Sequence, residues 1–168
     1  THQLDKGVNV AFPEFPLDVP AGKVRFGVSF NDENLVDNKW ETPIGKPLPF
    51  YRRFFSWLGA VAGNMAAEVQ TNYDLGRATW ISFKPPLTTT SWADIAAGDY
   101  ETEIDTILIE LRDTGISTWL TPCHEPEDNA SPEAPGNDED LFGTVSDYHA
   151  MMLYIEARRQ AVNADNVL

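Results

Sequence analysis

The sequence predicts an α/β fold built on a parallel sheet. Runs rich in β-branched and aromatic residues alternate with amphipathic stretches, in the order strand, helix, strand, helix. The centres of those runs, near Phe26, Arg53, Ile81 and Leu120, are spaced like strands joined by helical crossovers. Hydrophobic residues make up 42% of the 168 positions, which suits a domain with a packed core. Four βα units fall short of a closed barrel, which takes eight strands and usually about 250 residues. They read either as the first part of such a barrel or as a smaller open sheet.

Each element has its own warrant. Residues 1–22 carry Gly7, Pro13, Pro16, Pro20 and Gly22 at short intervals, the pattern of an extended arm. Lys23 to Phe30 is the first expected strand, and the polar stretch 31–49 a long loop. Phe50 to Phe55 is the second expected strand, although Tyr51-Arg52-Arg53-Phe54-Phe55 could also open a helix, and an Ala-rich helix follows over 57–73. Thr79 to Lys84 is the third strand, stopped by Pro85 and Pro86. Ser91 with Asp94 three residues on fits a capping box, and Asp99 is placed to cap the next helix. In that helix Ile104, Ile107, Leu108 and Leu111 fall on one face, and Gly115 stands where a helix ends. Thr118 to Cys123 is the fourth strand and 125–145 a loop. Ser146 is the expected cap of the last helix, with an apolar face of Tyr148, Met151, Met152, Ile155 and Val162. A fifth strand can begin at Asn166-Val167-Leu168.

Composition narrows the partners. Twelve basic residues face 26 acidic ones, a formal net charge of -14. That argues against nucleic acid, whose phosphates are met by Lys and Arg, and against an anionic membrane surface. No run of about 18 apolar residues is present, so no membrane insertion is expected. The single cysteine, Cys123, allows neither an internal disulfide nor a thiolate zinc site. Thr1 is not an initiator Met, which leaves open a removed leader or a longer protein.

The chemistry points to the end of the fourth strand. There an apolar run, Trp119-Leu120-Thr121-Pro122, gives way to Cys123-His124-Glu125-Pro126-Glu127-Asp128. Strand ends feed the active site in parallel α/β folds. Glycoside hydrolysis needs one carboxylic acid to protonate the leaving oxygen and a second carboxylate to attack or to activate water. Glu125 fits the acid, and His124 a group touching substrate or the second carboxylate. The bland alternative is that Glu125 and Glu127 open a solvated acidic loop. Residues 125–140 carry seven acidic side chains and no basic one. Such oxygen density can hold Ca²⁺, but the EF-hand spacing is absent and a solvated lid fits better.

Five tryptophans are many for this length. Trp80 and Trp119 lie within strands and read as core; Trp40 and Trp92 lie in expected loops, where they could stack on sugar. Arg52 and Arg53 adjoin on a strand, so one points inward and one outward. A Cys123–His124 nucleophile pair is disfavoured, since neighbours on a strand face opposite ways.

His124-Glu125-Pro126-Glu127-Asp128 resembles the acid/base segment of glycoside hydrolase family 26, the β-mannanases and related endo-glycanases. In that family a His directly precedes the acid/base Glu at the end of strand four. Tyr51-Arg52-Arg53-Phe54-Phe55 is similar to its second strand, Trp80-Ile81-Ser82-Phe83-Lys84-Pro85 to its third, and Ala96-Ala97-Gly98-Asp99-Tyr100 to the start of its third helix. The resemblance spans about residues 23–168, and the pattern is nearer the divergent bacterial and phage-borne members.

The resemblance implies the N-terminal half of a (β/α)8 TIM barrel over 23–168, completed by the remaining half or a larger assembly. It implies a retaining hydrolase of mannan or a related β-linked polysaccharide, secreted or virion-associated, with no cofactor. Glu125 is then the general acid/base, with His124, Arg53, Lys84 and Trp40 as substrate-binding candidates. The family's nucleophile is a Glu ending strand seven, so it is assigned to no residue here. The family's substrate-binding His after strand three is not evident, and Lys84 stands near its place. The rival from another class is a non-catalytic carbohydrate-binding or structural module of a phage tail or cell-surface protein.

Overall fold

The computed structural model describes residues 27–29, 40–46, 48–85, 90–124 and 143–168. The expected arm at 1–22 and the acidic loop at 125–140 lie outside the described residues, as does most of the strand expected from Lys23. The elements are β1 (Gly27–Ser29), α1 (Thr42–Ile44), β2 (Phe50–Ser56), α2 (Trp57–Val61), α3 (Met65–Asp74), β3 (Ala78–Lys84), α4 (Trp92–Ala97), α5 (Glu101–Asp113), β4 (Thr118–Pro122) and α6 (Val145–Ala161). The four strands form one parallel sheet in the order β1-β2-β3-β4. Val167 continues it, bridging Thr118 in parallel. The Leu168 amide donates to the Thr118 carbonyl, and the Leu120 amide to the Leu168 carbonyl. The mixed α/β class with a parallel sheet is therefore as expected.

The pairing register divides the sheet into two faces. Arg53 pairs with Ile81 and Ile81 with Leu120; Arg52 pairs with Trp80 and Trp80 with Trp119. Because side chains alternate along each strand, in-register partners share a face. Ile81, Phe83, Phe55 and Leu120 join a single core with side chains from α2 through α6. βα crossovers are right-handed almost without exception. With strands in sequential order, that rule sends each helix to the same side. The other face carries Trp80, Trp119, Phe50 and Phe54, none of which enters that core.

The helix layer follows the expected patterns with three local differences. Ile104, Ile107, Leu108 and Leu111 are all at most 1% exposed, so α5 buries the predicted stripe. The helix expected over 57–73 is two helices, because Gly63 adopts φ 79 and breaks the run. Asn64 makes no side-chain cap for α3. Glu110 of α5 supplies one instead, accepting from the Ala66 amide at 2.6 Å.

Ser91 and Asp94 form the expected capping box at α4. Tyr100, not Asp99, holds the N-cap position of α5, without a side-chain cap. Thr144, not Ser146, caps α6. Thr144 has Asp147 three residues on to return the hydrogen bond, whereas Ser146 has His149 there.

At the N-terminal edge of the sheet Arg77, just before β3, is fully buried and ion-paired with Glu41. Its Nε donates to Glu41 Oε1 at 2.8 Å, and that oxygen also accepts from the Leu48 amide at 2.7 Å. One carboxylate thus ties the entries of β2 and β3 to the segment that precedes α1. Removing one member of a buried pair leaves the other charge uncompensated. Glu41→Ala is expected to destabilise the fold by about 3–5 kcal/mol in urea unfolding, by analogy with other broken buried pairs. Glu41→Ala combined with Arg77→Met should lose much less. Equal losses in the two would mean that the charge is not confined.

Candidate functional site

The helix-free face gathers its side chains by alternation: Phe50, Arg52, Phe54 and Ser56 from β2, Ala78, Trp80, Ser82 and Lys84 from β3, and Trp119 and Thr121 from β4. The signal for β3 was present in Thr79-Trp80-Ile81-Ser82-Phe83-Lys84, where Ile81 and Phe83 alternate with Ser82 and Lys84. For β2 it was not, because Phe50-Tyr51-Arg52-Arg53-Phe54-Phe55 puts one Arg and aromatic rings on each face. Only the register to β3 assigns them.

At the centre of the face the Arg52 guanidinium lies between two rings, 4.3 Å from the Trp80 centroid and 4.7 Å from that of Phe54. Its Nε donates to Ser82 Oγ at 2.9 Å. Trp80 is held in turn, its indole N–H donating to Thr121 Oγ1 at 2.8 Å. Trp119 meets Trp80 edge-on at 5.8 Å and Phe50 at 6.3 Å. The result is a half-buried aromatic and cationic surface with hydroxyl groups between the rings. Trp80 and Trp119, read from sequence as core, belong to this surface and not to the helix-packed interior.

At the C-terminal end of β4 the backbone turns. Cys123 has φ 60, its amide donates to the Phe83 carbonyl at 2.7 Å, and its thiol is fully buried. The Trp92 indole N–H donates to Cys123 Sγ at 3.2 Å, and Trp92 packs edge-on against Tyr148 at 5.0 Å. Trp92, considered for sugar contact, is therefore an interior side chain with no exposed area. Burial pushes the Cys123 thiol above its ordinary pKa, against smaller opposing effects of the Trp92 bond and the Lys84 charge. His124 follows on the opposite side, its ring edge-to-face with Phe54 at 4.8 Å.

The expected site residues separate. Glu125 lies outside the described residues. His124 and Lys84 are at the C-terminal ends of β4 and β3. Arg53 is on the helix-packed face, 3.9 Å from Glu68 of α3, so the arginine among the aromatic rings is Arg52. Trp40 is half exposed beside Glu41, which binds at the N-terminal edge. It stands at the other end of the strands from His124, and β2 alone spans about 20 Å at ~3.3 Å per residue. Sequence spacing could not reveal this, because Trp40 precedes β2 by a loop of unconstrained path.

Among the described residues no three or more His, Cys, Asp or Glu are placed to hold a metal ion. No helix among them is long and apolar enough to cross a membrane. On the helix side, a groove of about 100 Å³ is lined by Leu108, Leu120, Pro122, Met152 and Ile155. Its charged rim residues, Glu156 and Arg159, bond each other at 2.8 Å.

The stacked guanidinium should show up energetically. Arg52→Lys keeps the charge but loses planar stacking and the Nε donor, and is expected to cost about 1–2 kcal/mol. In a double-mutant cycle with Ser82→Ala the coupling should be at least about 0.5 kcal/mol. Strict additivity would mean that the Arg52–Ser82 bond contributes nothing. Compared with protein-family models and with curated proteins, the chain matches none.

Proposed function

We propose that this chain belongs to a retaining glycoside hydrolase acting on a β-linked polysaccharide, mannan or a related glycan, and that its sheet is the first half of a (β/α)8 barrel. The observation that carries the reading is His124. It stands just beyond the end of β4, on the helix-free face beside Phe54, and the next residue in sequence is Glu125. In a barrel the helix-free face is the interior, and its C-terminal end holds the catalytic groups.

A sequential parallel order with helices on one side is the arrangement a barrel requires. Rings such as Trp80, Trp119 and Phe54 suit the apolar faces of sugars. Glu125 would act as general acid and then general base, and no cofactor is needed, since two carboxylates suffice. Lys84 and Arg52 are the cations nearest that end of the face, and polysaccharide the partner. A secreted or virion-associated setting belongs to the same proposal.

One observation favours the second reading, a non-catalytic glycan-binding module. None of the four described strands contains an Asp or Glu, so the strands bring no carboxylate to the described face. A protein carrying this chain should release reducing sugar from mannan or a β-glucan. Glu125→Gln should lower that rate by about 10²–10⁴-fold, the usual contribution of general acid catalysis. An unchanged rate would overturn the assignment of Glu125. No release by the unsubstituted protein, with retention on mannan that Trp80→Ala abolishes, would decide for the binding module.

A further inference from the structure

Strict alternation along β4 makes a definite forecast that the chain does not follow. Thr118, Leu120 and Pro122 point to the helices; Trp119 and Thr121 point to the free face. Continued, the pattern would put Cys123 on the free face and His124 among the helices. The reverse is found: Cys123 is in the helix-packed core and His124 rests on Phe54. The change of phase coincides with the φ of 60 at Cys123, a left-handed conformation uncommon for a residue other than glycine. Such a conformation persists only where its surroundings over-determine it. Here the surroundings are specific. The Trp92 indole N–H holds Sγ, the Phe83 carbonyl holds the amide, and Trp92 is itself fixed against Tyr148 of α6. Ser91 and Asp94 cap the short helix that carries Trp92.

We propose that Trp92 and Cys123 form a positioning clamp: their contact locks the left-handed turn that transfers His124 from the helix layer to the helix-free face. Neither residue touches substrate in this role. The inference rests on the hydrolase reading only for its effect on rate; the placement of His124 stands apart from it. The clamp also explains why the buried thiol sits against an indole donor instead of against apolar carbon alone. Sulfur is a weak acceptor, and here it meets the indole N–H of a fully buried tryptophan.

The test reads His124 directly. Its ring-proton resonance should be displaced by the Phe54 ring current, and Phe54→Leu, which removes that ring, should return it toward the position of free histidine. Cys123→Val puts a β-branched residue where φ is positive, which such side chains avoid; Trp92→Phe removes the donor. Both should move the His124 resonance as Phe54→Leu does, while His149 on the exposed side of α6 keeps its position in Cys123→Val. Cys123→Ser, which keeps an acceptor of similar size, should retain the native resonance and guards against a variant that merely unfolds. An unmoved His124 signal in both Cys123→Val and Trp92→Phe would overturn the clamp, as would loss of the native signal in Cys123→Ser with the fold intact. In hydrolysis of mannan, Trp92→Phe should lower kcat/KM by about 10²-fold, as misplacement by about 1 Å can, with Cys123→Ser near the unsubstituted rate. If the unsubstituted protein hydrolyses nothing, the hydrolase reading fails, and the resonance result still decides the clamp.

Discussion

Parallel pairing in register, Arg53 to Ile81 to Leu120 on one face and Arg52 to Trp80 to Trp119 on the other, is the constraint on which the architecture depends. It turns the two-residue period of a strand into a property of the whole sheet. A slip of one residue between β2 and β3 would send Ile81 and Phe83 away from the helices and bring Trp80 and Lys84 beneath them. Sequential strand order adds the second half of the constraint, since right-handed crossovers then stack the helices on a single side.

The two faces are stabilised by different physics. The helix side is an apolar core of mainly Ile, Leu, Met, Phe and Trp side chains gathered from five helices and three strands, held by burial of apolar area. Its charged groups are at the rim. Arg158 bonds Asp105 at 2.9 Å and links α6 to α5, and a pair still partly open to solvent contributes modestly. Arg77 and Glu41 differ because they are enclosed, so their effect is to fix where the strands enter the sheet more than to add net stability.

The helix-free face is ordered by contacts that are directional: a guanidinium between two rings, an indole N–H on a threonine, a ring edge against a ring face. Each fixes the next, so the surface is preorganised in the way a binding site requires. In a chain of net charge -14, the acidic residues stand outside the four described strands and the cations Arg52 and Lys84 stand in them. The turn at Cys123 extends the face by one imidazole beyond the end of β4.

By itself the sequence determined the class and the rhythm. Runs of β-branched and aromatic residues located β2, β3 and β4, apolar spacing located α5, and the rhythm of the strands anticipated the one at Asn166-Val167-Leu168, because composition and spacing are local properties of the chain. The capping box at Ser91 was legible for the same reason. Other features were decided only in three dimensions. Which of two adjacent arginines joins the aromatic face depends on the partner strand. Whether Trp92 meets solvent or the interior depends on Cys123, distant in sequence. The end of the sheet to which Trp40 belongs depends on where Glu41 finds Arg77. The placement of His124 itself departs from strand alternation, because a left-handed residue locked by a distant indole overrides the period of two that sequence reading must assume.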